Sequence, residues 1–149
     1  MKEFKHLGAY GLIIKENKIL LIKKNGGPYD GKLDLPGGTI EFGERPEEAL
    51  RRELEEEAGI KVKEVCLIDT DSVNFEWKYQ KENIIMKVHH IGIFYKVISY
   101  EGNIKQKLEI TEINDDSKGA EFYDIDSLSK ENLSQIAVLE LEKLRLTIK

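Results

Sequence analysis

Glu53, Glu56 and Glu57 are the residues whose type and spacing could do chemistry in this sequence. On a helix turning about 100° per residue, the three fall within an arc of about 100°. Three carboxylates on one arc make an oxygen-rich site suited to Mg²⁺, with Mn²⁺ as the alternative ion. The backbone at Gly37 and Gly38 has no side chain to block close approach, so a carbonyl there could complete the coordination. A cation would also resolve an electrostatic conflict. The glutamates crowd the C-terminal end of their helix, where the dipole favours positive charge, and like charges three or four residues apart repel by roughly 0.2–0.5 kcal/mol per pair. The plain alternative is a solvent-facing helix built from good helix formers, a description that suits Glu47, Glu48 and Glu55, which lie elsewhere around the helix.

The positioning elements can be read from the flanking residues. Pro46 suits the first helical position, and Glu47 and Glu48 suit the first turn. Arg45 is a poor N-cap, which leaves the start open by a residue or two. The helix is expected to end at Ala58, with Gly59 as a left-handed C-cap and Ile60 folding back. Leu50, Leu54 and Ala58 form the face that packs on a sheet, while Ala49, lying among the carboxylates, leaves room above them. Upstream, Leu12-Ile13-Ile14 and Ile19-Leu20-Leu21-Ile22 read as strands around a Glu16-Asn17 turn. Residues 25–31 read as a loop, Leu33 to Gly38 as a short strand ending in a glycine pair, and Thr39 to Phe42 as a further short strand. Downstream, Val62 to Val73 and Ile84 to Tyr100 are long strands separated by the polar, aromatic residues 74–83. A charged loop is expected over 101–119, then a strand over Glu121 to Ile125, a helical turn over Asp126 to Leu128, and an amphipathic helix from Leu133 to Thr147. The sum is an α+β domain spanning residues 1–149, with mixed and antiparallel sheets, one central helix and one C-terminal helix.

The spacing around the acidic helix resembles the Nudix hydrolase signature. That signature is Gly, five residues, Glu, seven residues, Arg-Glu, an apolar residue, any residue, Glu-Glu, any residue, Gly, and an apolar residue. Gly38, Glu44, Arg52, Glu53, Leu54, Glu56, Glu57, Gly59 and Ile60 fill every position. From the residue frequencies, a chance match has odds of about one in a million. The resemblance implies an α/β/α sandwich and Mg²⁺-dependent water attack on phosphorus in a nucleoside diphosphate linked to another group. The substrate could be a nucleoside triphosphate, a damaged nucleotide, a dinucleoside polyphosphate or a nucleotide sugar. Carried residue by residue, it implies that Glu53, Glu56 and Glu57 hold metal with the Gly38 carbonyl. Glu53 or Glu56 would orient or deprotonate the water, and Arg52 would pair with Glu44 or a neighbouring carboxylate to hold the loop against the helix.

Selectivity must come from outside that signature. Phe75, Trp77 and Tyr79 are candidates to stack on a base, and one of His89 and His90, with His89 the nominated residue, is a candidate to face the cleft. Lys23, Lys24, Lys32 and Arg51 could steer phosphates, or be solvated charges. Glu109, Glu112, Asp115 and Asp116 are candidates for a late-loop acidic residue that some family members use, with Asp116 nominated for substrate contact. ADP-ribose-specific subgroups tend to carry a proline about fifteen residues past the signature, whereas no proline follows Pro46 here.

The net charge of −5 argues against a general nucleic-acid binder, which needs a basic footprint. It leaves a phosphate-bearing small molecule open, because a bound cation inverts local charge. The single cysteine, Cys66, is expected to be a buried, inert thiol, and a reducing cytoplasmic setting follows by default. No segment has the length and apolarity of a membrane span. The aromatic residues around Trp77 would also fit a homodimer surface. A nucleotide-sensing module on the same fold is the rival reading; such modules would be expected to lose signature glutamates. RNA end-processing would want a basic groove, and a prenyl diphosphate isomerase a placed cysteine.

Overall fold

The computed structural model describes residues 2–104 and 117–144. Eight strands and two helices follow in the order β1 (Lys2–Leu12), β2 (Ile14–Lys15), β3 (Lys18–Lys24), β4 (Leu33–Asp34), β5 (Gly37–Thr39), α1 (Pro46–Ala58), β6 (Lys61–Tyr79), β7 (Ile84–Glu101), β8 (Ser117–Asp124) and α2 (Gln135–Lys143). A 3₁₀ turn, Ile125–Ser127, follows β8 where a helical turn is expected. Asp116, Glu109, Glu112 and Asp115 lie outside the described residues.

A mixed sheet in the order β5-β1-β7-β6 forms the centre. β1 runs parallel to β7, while β5 on β1 and β6 on β7 are antiparallel. One face of this sheet presents Ala9, Tyr95 and Val97 to Leu50, Leu54 and Ala58 of α1, with Leu20 and Ile22 in the same cluster. The other face presents Tyr10, Leu12 and Phe94 to Ile136, Ala137 and Leu141 of α2, with Ile19 and Leu21. The result is an α/β/α sandwich. A second antiparallel sheet pairs β3 with β2, β4 and β8. Residues 19–22 of β3 are fully buried in alternation to both clusters, which is why this strand reads as a continuous apolar run rather than an alternating one.

Several sequence expectations change here. β1 reaches from Lys2 to Leu12 and pairs along its whole length with β7, so the turn at Glu16 joins β3 to the short β2, not to β1. Thr39 ends β5; Ile40 still donates its N–H to the Leu7 carbonyl of β1 at 3.1 Å, while Glu41 and Phe42 lie outside the strand. Residues 74–79 continue β6 rather than separating two strands, because Phe75, Trp77 and Tyr79 alternate with polar residues in step with the pleat. The hairpin closes at Gln80 to Asn83, where the Asn83 N–H donates to the Gln80 carbonyl at 3.2 Å and Asn83 takes a left-handed φ of 50°. The expected loop over 101–119 gives way to strand at both ends, since β7 extends to Glu101 and β8 starts at Ser117. Cys66 is exposed, against the expected burial: the β6–β7 register shifts between Val62 and Val65 and again between Leu67 and Asp69, and these bulges disturb which residues of the apolar run face inward. Within the described part of the C-terminal helix, α2 runs from Gln135 to Lys143, started by Ser134, whose hydroxyl accepts the Ala137 N–H at 3.2 Å.

Candidate active site

Helix α1 begins where Pro46 allows it and ends where Gly59 forces it. The Glu48 carboxylate accepts the Arg45 N–H at 3.2 Å, so the side chain three residues into the helix supplies the cap that Arg45 lacks. Gly59 adopts φ 71° and donates its N–H to the Glu55 carbonyl at 3.0 Å. Leu50, Leu54 and Ala58 face the sheet as expected, but Ala49 is fully buried with them. It packs in the core, so the space beside the acidic arc comes from the glycine loop instead.

Two glycines bring the loop onto the helix. Gly37 takes φ 137°, and a Cβ there would lie 2.1 Å from the Ala9 carbonyl; its N–H donates to Oε1 of Glu57 at 2.8 Å. At Gly38, a Cβ would fall 2.7–2.9 Å from the carboxyl atoms of Glu53. Glu57 is 5% exposed, a depth at which a carboxylate needs a donor of this kind. Arg52 joins the parts. It grips Glu44 through two parallel bonds, Nε to Oε2 at 2.8 Å and Nη2 to Oε1 at 2.9 Å. Its Nη2 also donates to the Thr39 carbonyl at 3.0 Å, and its Nη1 reaches Glu53 at 2.9 Å and Glu56 at 3.4 Å. The Arg52 bonds, aided by the Glu41 N–H, hold the Glu44 carboxyl well below the usual carboxylate range, at about 2, and the same pairing raises Arg52.

Gly38, Glu53, Glu56 and Glu57 thus all lie at the junction of β5 and α1. Glu53 and Glu56 are turned to Arg52, and Glu57 to the Gly37 N–H. Among the described residues no three carboxylate, imidazole or thiol groups converge on one point. The donor set itself, carboxylates and a carbonyl with no sulfur or imidazole, fits a hard divalent cation.

A cavity of about 190 Å³ opens beside this junction, lined among others by Phe4, His6, Lys24, Tyr29, Asp34 and His90. His6 connects the two places: its Nε2 lies 2.8 Å from the Thr39 hydroxyl, and its ring stacks on His90 at 4.6 Å and 9°. His90 sits between two phenols, with Nε2 2.5 Å from the Tyr10 hydroxyl and Nδ1 2.8 Å from that of Tyr29. A neutral imidazole has one donor and one acceptor nitrogen, so one tyrosine donates to it and the other accepts from it. Burial, with His6 and Lys24 nearby, pushes His90 down to about 3 and keeps it neutral. Burial raises Tyr10. Asp34, 2% exposed, is also raised by burial, against the opposing pull of Lys24, the Ser134 hydroxyl and the Leu35 N–H; its Oδ1 accepts from Ser134 at 2.7 Å and Leu35 at 2.8 Å.

The candidates nominated from sequence for base contact fall elsewhere. Phe75 stacks on Tyr29 at 5.5 Å, behind the cavity wall. Trp77 and Tyr79, with ring centroids 5.1 Å apart, line a separate groove of about 450 Å³ on the other side of the 26–30 loop. His89 pairs with Lys5 and Asn74 on the face of β7 opposite to His90. Of the cationic candidates, Lys24 lines the cavity, whereas Arg51 is spent on the Val62 carbonyl at 2.6 Å and Lys32 on that of Glu131. His6, Tyr29 and Asp34 were not singled out from sequence. The signal that could have found His6 is its pairing parity: parallel register sets Phe4, His6 and Tyr10 beside Val88, His90 and Phe94.

A mixed sheet thus lies between two helices, with a glycine pair pressed against an acidic helix and an arginine clamping the two. The NUDIX domain family model matches residues 4–141, and the chain belongs to that family. It superposes on the crystal structure of a MutT NUDIX hydrolase from Burkholderia pseudomallei with a TM-score of 0.70 at 24% identity, covering 94% of this chain and 98% of that one. It is 37% identical over 120 residues to an ADP-ribose pyrophosphatase of Methanocaldococcus jannaschii, 80% of this chain and 62% of that protein. It is 46% identical over 54 residues to an 8-oxo-dGTP diphosphatase of Escherichia coli, 35% of this chain and 42% of that one. The matches thus span less than two thirds of these two relatives. No described helix is long and apolar enough to cross a membrane.

Proposed function

We propose that this protein is a Mg²⁺-dependent pyrophosphohydrolase that cleaves nucleoside diphosphates linked to another group. The observation that carries the reading is the contact of the Gly38 backbone with the Glu53 carboxylate, beside Glu57 fixed on the Gly37 N–H. Glu53, Glu56 and Glu57, with the Gly38 carbonyl, would hold the ion. A bound divalent cation neutralises phosphate charge and lowers the pKa of bound water. Glu53 or Glu56 orients or deprotonates the attacking water; Glu56 is the more exposed of the two. Arg52 and Glu44 keep loop and helix in register. The cavity with His6, Tyr29, His90, Lys24 and Asp34 receives the nucleoside, its rings offering stacking surface and Lys24 and Asp34 offering charged partners for a base edge. The related proteins named above support two candidate substrates, ADP-ribose and 8-oxo-dGTP.

The test is a Mg²⁺ titration of hydrolysis over ADP-ribose, 8-oxo-dGTP, unmodified triphosphates, dinucleoside polyphosphates and nucleotide sugars, run with Glu53→Gln and Glu57→Gln alongside the wild type. Turnover of one class, lost in both variants while they stay folded in metal-free buffer, is the expected result. Wild-type activity in both variants would sink the metal assignment. Binding of a nucleotide without turnover by the wild type would move the reading to a sensing module.

A further inference from the structure

On the far side of the central sheet, away from the acidic helix, Glu140 of α2 is fully buried. Neither of its carboxyl oxygens has a hydrogen-bond partner, and neither has Oδ1 of Asp69 on β6. Lys143, one turn further along α2, places Nζ 3.4 Å from Glu140 Oε2, 2.5 Å from Asp69 Oδ2 and 2.9 Å from Asp71 Oδ2. Among the described residues these are the charged groups that meet here: Asp69 and Asp71 from β6, Glu140 and Lys143 from α2. One ammonium thus stands among three carboxyl groups. Ionised carboxylates are acceptors only, so the orphaned oxygens of Glu140 and Asp69 cannot satisfy one another while both are charged. Asp69 is part-exposed and keeps Lys143 on its other oxygen, whereas Glu140, fully buried with only an ammonium 3.4 Å from one oxygen, takes up a proton instead. A single proton gives the pair a donor and an acceptor at once.

We propose that Glu140 holds a proton that it donates to Asp69 beneath Lys143, and that this acid–carboxylate pair is a latch docking α2 on β6 that loosens when the proton is lost. Burial and the Asp69 carboxylate, against Lys143, push Glu140 up to about 7. A raised acid of this kind stabilises the docked helix fully below about pH 4.5, and the contribution is lost as pH rises through about 7. The other end of α2 forms part of the cavity wall. Ser134 holds Asp34, and the Ile136 backbone N–H faces the Tyr29 hydroxyl. Undocking at Glu140 would therefore soften the cavity next to the acidic helix, which makes the latch a pH-dependent control on that cavity.

The test follows backbone amide hydrogen exchange in α2 from pH 6 to 8, corrected for intrinsic exchange, in wild type and Glu140→Gln. Glutamine donates to Asp69 without titrating. For a group moving from a pKa of about 4.5 when undocked to about 7 when docked, α2 protection in the wild type is expected to fall roughly tenfold across this range, and to stay level in Glu140→Gln. Level protection in the wild type, or the same fall in the variant, overturns the proposal. Should Glu140→Gln fail to fold, Asp69→Asn serves in its place. Its amide donates to the ionised Glu140, and the fall is expected to begin at least one pH unit lower; an unmoved transition overturns the latch. No nucleotide or metal enters either measurement, so failure here is independent of the assignment made for the acidic helix.

Discussion

The Gly38 backbone and the Glu53 carboxyl group touch so closely that a Cβ on Gly38 would lie 2.7 Å from Glu53 Cδ. A strand and the second turn of a helix are thereby brought together, with the loop backbone lying directly against a helix carboxylate. The absence of a side chain at Gly38 is a requirement of that contact rather than of a turn: its φ is not in the left-handed region, unlike that of Gly37.

Gly38→Ala should therefore act on Glu53 rather than on the fold. The methyl group must push the carboxylate away, and a loss of about 10–100-fold in kcat and in Mg²⁺ affinity is expected. Thermal stability should change little, because the contacted atoms are the end of a flexible side chain. Steady-state kinetics with a Mg²⁺ titration, paired with a melting curve, separate the two effects. A variant that keeps both kcat and metal affinity would show that Glu53 and the loop do not act together.

Arg52→Lys should lose the loop–helix register while keeping the charge, because an ammonium cannot make the paired bonds to Glu44 and still reach Thr39 and Glu53. Turnover is expected to fall roughly tenfold. In combination with Glu44→Gln the two losses should be less than additive, since both break one clamp. The depressed Glu44 carboxyl also sets an acid limit. Its contribution is present above about pH 4.5 and disappears as pH falls through about 2, so the clamp is expected to persist in mild acid. Near-neutral turnover numbers for the double variant equal to the product of the single effects would count against a shared clamp.

His90 should give the opposite pH limb from Glu140. Its pKa is lowered in the folded state, so between about pH 6.5 and 3 the unfolded chain binds the extra proton, and stability drops as pH falls through that window. The two windows overlap between about pH 4.5 and 6.5, where their opposite slopes offset each other, so stability is expected to be level there and to drop below it. His90→Gln should remove that drop, measured by melting temperature from about pH 3 to 6. His90→Phe should leave the Tyr10 and Tyr29 hydroxyls without their partner, at a cost of about 1–3 kcal/mol. An acid limb in His90→Gln as steep as the wild type's would place the titrating group elsewhere.

Much of the acidic helix was legible because its signals are local. Pro46, the first-turn glutamates and Gly59 act within a turn of their own position, and the helix runs from Pro46 to Ala58 as those residues dictate. The separation of Glu53, Glu56 and Glu57 from Glu47, Glu48 and Glu55 follows from helical periodicity alone. Ala49 departs from its expected place because periodicity puts a residue on an arc but does not say how far the neighbouring strand reaches around the helix; Ala49 and Leu50 are buried side by side.

The nucleoside side was not legible, for a reason that the two histidines make concrete. His89 and His90 are adjacent in sequence, yet only His90 enters the cavity, and that choice is made by the pleat and by parallel register against β1, eighty-four residues away. Cys66 moved from inside to outside through bulges in one strand pair. Asp34 and Ser134 meet only because β4 and the start of α2 come together. Sequence alone determined the acidic helix and the charge pattern along it, since those follow from backbone periodicity and caps within a few residues. Tertiary structure decided which faces of those elements look at one another, because strand register and sheet order are set by pairings across the whole chain, and a cavity exists only between elements that such pairings have joined.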